Sequence, residues 1–144
     1  MEDCVFCKII SGEIPSTKVY QDEVVTAFLD LSQATPGHTL LVPNKHVKDI
    51  FAYDTYLAAA VFSRIPKIAR AVRASNKDIK GLNILNNNGK VAYQSVFHSH
   101  IHLVPRYTDN DGFSMSFTDN SDKHSAEELN QIAANISNNI TESD

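Results

Sequence analysis

The sequence lacks any long hydrophobic run. No apolar stretch approaches the roughly 18 residues that a membrane-spanning helix requires. The first residues, Met1 to Cys4, are acidic and contain no apolar segment of the kind found in secretory signal peptides. These two absences predict a protein that has no membrane partner and is located in the cytoplasm.

The sequence also lacks an excess of basic residues. It holds 13 lysines and arginines against 17 aspartates and glutamates, a formal net charge of −4. A broad nucleic-acid surface requires a basic face, so this balance argues against a nucleic-acid partner and leaves room for a small, local phosphate site. With 144 residues, no internal repeat and 42% hydrophobic residues, the chain is expected to form a single domain over residues 1–144.

Cysteine is scarce, with only Cys4 and Cys7 present. In a reducing compartment such a pair is more often a metal site or a redox pair than a structural disulfide. A thioredoxin-like redox motif follows a strand, and no strand precedes Cys4, so we favour zinc over the redox role. A closed zinc site needs two further ligands. Histidines must supply them, and His46, in a predicted loop, is one candidate.

Histidine, in contrast, is concentrated in one place. Three of the six histidines fall within five residues, as His98, His100 and His102. On a strand, alternate side chains share a face, which would place neighbouring imidazoles roughly 6–7 Å apart. Three interpretations are open: a half-buried strand whose polar face happens to hold histidine, a metal site, or a neutral imidazole that attacks phosphorus.

Hydrophobic periodicity and turn residues predict alternating strands and helices. The predicted strands are 18–21, 24–29, 38–43, 81–86 and the histidine run from Phe97 to Arg106. A long helix is expected from about Thr55 to Ala74, with Asp54 as its N-cap and a kink or a lost hydrogen bond at Pro66. A capping-box pattern at Ser125 and Glu128 predicts a C-terminal helix.

Several polar residues stand where these predicted strands end. Asp30 follows the second strand, and its carboxylate suits either local turn chemistry or hydrogen bonding to a ribose diol. Turn chemistry explains Asn88–Gly89 and leaves Asn87 available for a polar ligand. Gln94 and Ser95 lead into the histidine run, where their donors could hold phosphate oxygens.

These motifs together resemble the histidine triad (HIT) family, most closely its short bacterial members near the Hint branch. The resemblance rests on Cys4-x-x-Cys7, Phe28-Leu29-Asp30, Asn87-Asn88-Gly89, Gln94-Ser95 and His98-x-His100-x-His102-Leu103-Val104. It implies an α+β fold: a five-stranded, mostly antiparallel sheet with one long helix and a C-terminal helix, paired into a homodimer. Residues 1–15 would form a zinc-binding N-terminal segment, and residues 107–144 a C-terminal loop and helix.

The resemblance also implies an enzyme mechanism. His100 would attack the α-phosphorus of a nucleoside phosphoramidate or related phosphoanhydride, and water would then release the nucleoside monophosphate from a nucleotidyl-histidine intermediate. His102 and neighbouring backbone groups would fix the tautomer and orientation of His100. Ser95 and Gln94 would contact the phosphate or the leaving group, and Asn87 would hold a phosphate oxygen or help to position the site. The substrate would be a purine nucleotide. The alternative is a nucleotide-binding regulatory or scaffold protein with little turnover.

The family pattern assigns the remaining site residues. Asp30 would accept the ribose hydroxyls, and His38 occupies a family position near the site. The implied nucleotide-binding set is Asp30, Leu31, Asn87, Gln94, Ser95, His100 and His102. The implied ligands of a closed, structural Zn²⁺ are Cys4, Cys7, His46 and His98.

The chain departs from the family pattern at Tyr93, where members commonly carry glycine before the glutamine of the phosphate loop. Glycine there allows close backbone approach or a positive φ, so Tyr93 is expected to narrow or reshape the pocket. His102 stands where the nucleotidyltransferase branch has glutamine, which favours hydrolysis over transfer.

Overall fold

A computed structural model describes residues 3–141 of the chain. The chain divides into two compact units, one ending at Phe113 and the other beginning at Ser114. A single domain over residues 1–144 therefore stays a prediction. None of the helices formed by residues 3–141 combines the length and apolar character needed to cross a lipid bilayer.

The first unit is built on a five-stranded sheet in which every neighbouring pair is antiparallel. Its strands are β1 (Lys18–Gln21), β2 (Val25–Leu29), β3 (Thr39–Pro43), β4 (Gly81–Asn86) and β5 (Ile101–Arg106). They lie in the order β1-β2-β3-β5-β4. The predicted sheet is confirmed, and the first four strands match their predicted bounds to within one residue.

The prediction that the whole histidine run forms a strand is wrong. Strand β5 begins at Ile101, so His98 and His100 precede it in irregular backbone. Strand β5 pairs with β3 from Leu41 opposite Ile101, and continuing that register would place Pro43 opposite Ser99. Proline has no N–H to donate to a ladder. The Ser99 N–H instead donates to the Val47 carbonyl at 2.7 Å.

The prediction of one long helix from Thr55 to Ala74 is also wrong, because two helices occupy that stretch. The described helices are α1 (Val5–Ser11), α2 (Thr55–Phe62), α3 (Ile65–Ala74) and α4 (Ala126–Ser137). Pro66 lies in the first turn of α3, where its missing N–H costs nothing, whereas a continuous helix would need that N–H. Arg64, at the break, donates from Nε to Asp22 Oδ2 at 2.7 Å.

Buried side chains pack on both faces of the sheet. One cluster, which includes Val25, Leu41 and Leu103, packs with Val61 and Ile68 of α2 and α3. The second cluster lies under α1 and comprises Phe6, Ile9, Phe28, Leu40 and Val42. Because side chains alternate along a strand, His102 points to the same face as its pairing partner Leu40. The α1 face of the sheet is therefore the one that carries the histidines.

The second unit contains helix α4. The Ser125 hydroxyl accepts from the Glu128 N–H at 3.1 Å, and the Glu128 carboxylate accepts from the Ser125 N–H at 3.0 Å. The predicted capping box and C-terminal helix are confirmed. Leu129, Ile132 and Ile136 recur along α4 at helical spacing and form an apolar stripe.

Candidate functional site

A cavity of about 330 Å³ opens on the α1 face of the sheet. Phe6, Ile9, Phe28 and Leu40 form an apolar part of its wall. Asp30, Leu31, Ser95, His100 and His102 also line it. The structure thus brings five of the seven predicted nucleotide-binding residues to one cavity. They share it with an apolar surface that no short sequence motif predicts.

His100 is held in one tautomer by the backbone carbonyl of His98. Its ring is buried, and Nδ1 lies 2.8 Å from the His98 carbonyl oxygen. A carbonyl can only accept, so Nδ1 carries the proton and Nε2 keeps a lone pair. Burial lowers the pKa of His100, which favours the neutral ring. Asn86, which the sequence did not single out, donates from Nδ2 to the His100 carbonyl at 3.0 Å.

His102 is oriented by a second hydrogen-bond chain. The Ala34 N–H donates to His38 Nδ1 at 3.2 Å, so the neutral His38 ring carries its proton on Nε2. His38 Nε2 lies 2.9 Å from His102 Nδ1 and donates to it. His102 therefore carries its own proton on Nε2. Burial, with the neighbouring His100 and His38, lowers the pKa of His102 to about 4.

One carboxylate oxygen of Asp30 accepts hydrogen bonds within the turn, and the other lies near His38 in the site. Its Oδ1 accepts from the N–H and the hydroxyl of Ser32, at 2.8 and 2.5 Å. Its Oδ2 lies 3.8 Å from His38 Nε2. Burial alone would raise the pKa of Asp30, but the Ser32 hydrogen bonds and the nearby histidines outweigh burial and lower it. The carboxylate is therefore ionised, and both predicted roles are compatible with it.

Asn87 and Gln94 do not line the cavity. The Gln94 side chain is buried and bridges loops: Nε2 donates to the Lys48 and Val96 carbonyls at 2.7 and 3.1 Å, and Oε1 accepts from the Gly89 N–H at 2.8 Å. These contacts shape the loop that carries Ser95. Contact of Asn87 and Gln94 with nucleotide stays a prediction.

Beside the cavity, Cys4, Cys7, His46 and His98 form a second cluster whose four ligand atoms lie within 4.8 Å of one another. Cys4 Sγ is 3.4 Å from His98 Nδ1, and Cys7 Sγ is 3.4 Å from His46 Nδ1. His98 Nε2 donates to the Pro43 carbonyl at 2.8 Å, which leaves the Nδ1 lone pair directed at the sulfurs. Two sulfurs and two imidazole nitrogens fit a tetrahedral metal ion.

Asp30, His38 and His102 also place potential ligand atoms within 4.8 Å of one another. A metal ion there would have to bind His38 at Nε2. The Ala34 N–H already donates to Nδ1 of that ring, which puts the ring proton on Nε2 and blocks ligation. His38 and His102 of this second group instead form a hydrogen-bond chain, and Asp30 Oδ2 lies 3.8 Å from His38 Nε2.

The chain belongs to the HIT family. The family model for the HIT domain matches residues 11–109. The chain is 49% identical over 142 residues to the protein called "Protein hit" of Bacillus subtilis, covering 99% of this chain and 97% of that protein. It is 31% identical over 137 residues to adenosine 5'-monophosphoramidase hnt1 of Schizosaccharomyces pombe, covering 95% and 98% of the two chains.

Solved structures share the fold. A crystal structure of a HIT-family member from Bacillus subtilis superposes with a TM-score of 0.94 at 48% identity, covering 98% of this chain and 99% of that one. A zinc-bound histidine triad family protein from Mycobacterium smegmatis superposes with a TM-score of 0.72 at 34% identity, covering 95% and 97%.

Tyr93 occupies a backbone conformation that suits glycine. Its φ is +71°, in the left-handed region, and its side chain is 85% exposed. The ring does not line the cavity, so the side chain does not narrow it, and a reshaped pocket stays a prediction. The departure from glycine acts on the backbone instead, because an L-residue in this region costs roughly 1–2 kcal/mol.

Replacing Tyr93 therefore tests backbone strain separately from pocket shape. We expect Tyr93→Gly to be more stable than Tyr93→Ala by about 1 kcal/mol, because both variants lose the exposed ring and only glycine relieves the strain. Urea unfolding of the two variants measures this difference. Equal stability would show that position 93 is unstrained.

Proposed function

We propose that this protein is a nucleotide hydrolase that cleaves nucleoside phosphoramidates, or related phosphoanhydrides, at the α-phosphate. The observation that carries the proposal is the tautomer of His100: with Nδ1–H bound to the His98 carbonyl, the lone pair is on Nε2 in a ring that lines the cavity. The relative from Schizosaccharomyces pombe, named as a monophosphoramidase, supports this reaction class.

The proposed reaction has two displacements. His100 Nε2 forms a bond to the α-phosphorus as the bond to the leaving group breaks, and a water molecule then displaces His100 to give the nucleoside monophosphate. His102, with its proton on Nε2, donates to a phosphate oxygen as charge develops there. His38 keeps His102 in that tautomer, so it acts through His102.

The cavity offers each part of a nucleotide a suitable surface. A purine fits the apolar wall that Phe6, Phe28 and Leu40 form. Asp30, whose Oδ2 is not used by Ser32, accepts hydrogen bonds from the ribose hydroxyls, with Leu31 beside it. Ser95, which lines the same cavity as His100, then contacts the phosphate or the leaving group.

The first test is AMP release from adenosine 5′-phosphoramidate. We expect His100→Ala to lower turnover at least about 10³-fold because the covalent route is removed, and to keep AMP affinity within a few-fold. The matched control is His124→Ala, which changes an exposed histidine in the second unit and is expected to turn over normally. Turnover by His100→Ala at the wild-type rate would exclude His100 as the nucleophile.

The same assay distinguishes the hydrolase from the alternative that the sequence left open, a nucleotide-binding protein with little turnover. If the wild type binds AMP and releases none from the phosphoramidate, the chain is a nucleotide-binding protein with little turnover.

We also propose that the ion of the Cys4, Cys7, His46 and His98 cluster is Zn²⁺ in a structural role. The two-sulfur, two-nitrogen donor set supports this, and so does the zinc-bound relative from Mycobacterium smegmatis. Its four ligands would join the first turn of α1 to the loop after β3 and to the segment before β5. The ion would have no open coordination position for substrate.

Metal removal is therefore expected to lower thermal stability. A metal ion at a free concentration about 100 times its Kd adds about 2.7 kcal/mol to the free energy of unfolding. Its loss on chelation corresponds to a fall in Tm of roughly 5–10 °C. Calorimetry with and without chelator measures the fall, and Cys7→Ser should abolish it. Purified protein that contains no zinc, or whose Tm does not change on chelation, would contradict the assignment of a structural Zn²⁺.

We further propose a homodimer formed through β4. The strands at the two edges of the sheet are β1 and β4. Strand β1 carries Lys18 and a register irregularity, features that discourage pairing. Strand β4 has no charged residue, and its Ile84 is 51% exposed. A second copy could extend the sheet at β4.

Charge on the pairing edge should dissociate this dimer. We expect Ile84→Lys to be monomeric at concentrations where the wild type is dimeric, because the added charge opposes close approach of two β4 strands. Sedimentation velocity measures the difference. Val19→Lys, at an exposed position of β1, is the control and should remain dimeric; the opposite pattern would move the interface to β1.

A further inference from the structure

His98 belongs to the metal cluster and to the catalytic site at once. Its Nδ1 lies 3.4 Å from Cys4 Sγ and 3.5 Å from Cys7 Sγ. Its backbone carbonyl accepts the Nδ1–H of His100 at 2.8 Å. The His98 side chain is fully buried, so a shift of this residue at the metal cluster would also move the acceptor that sets the His100 tautomer.

Phe6 forms a second connection between the two sites. It lies between the two cysteines in sequence, and its ring packs edge-on against His100, with centroids 5.0 Å apart and planes at 79°. The same ring contacts His98 and Phe28, at 5.9 and 5.5 Å between centroids. Phe6 also lines the cavity, so its position affects both the nucleophile and the apolar wall.

The two cysteines flank Phe6 in the first turn of α1. Cys4 is the N-cap of α1, and its Sγ accepts from the Cys7 N–H at 3.3 Å. An ion held by both sulfurs and by His46 and His98 would tie this first turn to the sheet. Releasing that tie would let the turn, and Phe6 with it, sample other positions, which would lower the population of the arrangement that binds nucleotide.

We propose that metal binding at the Cys4, Cys7, His46 and His98 cluster and nucleotide binding in the cavity are thermodynamically coupled through Phe6 and the His98 carbonyl. This inference rests on the proposed function, because it takes a nucleotide as the ligand of the cavity. The metal cluster then does more than stabilise the fold: it sets the affinity of the active site. Coupling of this kind is reciprocal, so the nucleotide must strengthen metal binding by the same factor.

The experiment measures Zn²⁺ affinity by competition with a chromophoric chelator, with and without saturating AMP, and AMP affinity of the zinc-loaded and zinc-free chain by calorimetry. Both are carried out below the Tm of the zinc-free chain. We expect each ligand to tighten the other by about tenfold, within the usual range for coupled sites. The two factors must match, so their agreement checks the measurement. A factor above one supports the coupling, because general destabilisation changes neither affinity where nearly all of the chain is folded.

A pair of variants tests the connection itself. Phe6→Leu keeps an apolar side chain and removes the ring contact with His100, so we expect both ligands to bind with the coupling factor reduced towards one. The control is Ile14→Ala, which shortens another side chain of the cavity wall. Ile14 follows α1 and does not lie between the two cysteines, so this variant should keep the coupling. Loss of coupling in Ile14→Ala but not in Phe6→Leu would overturn the assignment of Phe6.

The wild-type chain decides the proposal even if Phe6→Leu fails to fold. Equal AMP affinity with and without zinc overturns the coupling and leaves the hydrolase proposal intact. Failure of AMP to bind in either state overturns both proposals. Reciprocal tightening supports the coupling whatever the rate of phosphoramidate cleavage.

Discussion

The hydrogen bond from His100 Nδ1 to the His98 carbonyl is the interaction on which the site depends. A neutral imidazole has one lone pair, and this bond decides which nitrogen keeps it. The bond exists because His98 and His100 lie outside the sheet ladder, where a backbone carbonyl can turn towards a side chain. The irregular backbone before β5, which departs from the sequence expectation, is therefore what orients the His100 ring, the proposed nucleophile.

The same device recurs in the neighbouring rings. His98 is oriented by the Pro43 carbonyl and His38 by the Ala34 N–H, and each backbone partner forces the opposite ring nitrogen into one role. Burial lowers the pKa of His98, His100 and His102, so all three favour the neutral form in which these assignments hold. Backbone groups that cannot titrate thus give His98, whose free nitrogen faces the two sulfurs, and His100, whose free nitrogen is Nε2, opposite orientations two residues apart.

Much of this arrangement could be predicted from the sequence, because strand alternation and capping residues are local signals. The bounds of β1 and β4, the N-cap at Asp54 and the capping box at Ser125 follow from such signals. Proline chemistry predicts a disturbance at Pro66, but not the complete break into α2 and α3. That break and the early end of the β3–β5 ladder involve hydrogen bonds between distant segments, which periodicity does not report. The positions of Asn86 and Phe6 are invisible for the same reason. The cytoplasmic location and the absence of a nucleic-acid partner stay predictions.

At position 93 the residue type is expected to affect the stability of the loop without altering the wall of the cavity. Tyr93 takes a glycine-like conformation, yet its ring is in solvent and the cavity wall is formed by other residues. The loop keeps its shape because Gln94, buried next to it, bonds to the Gly89 N–H and to the Lys48 and Val96 carbonyls. These three bonds can hold an unfavourable φ at the preceding residue. The loop therefore accommodates tyrosine in a conformation that favours glycine, while Ser95 lines the same cavity as His100.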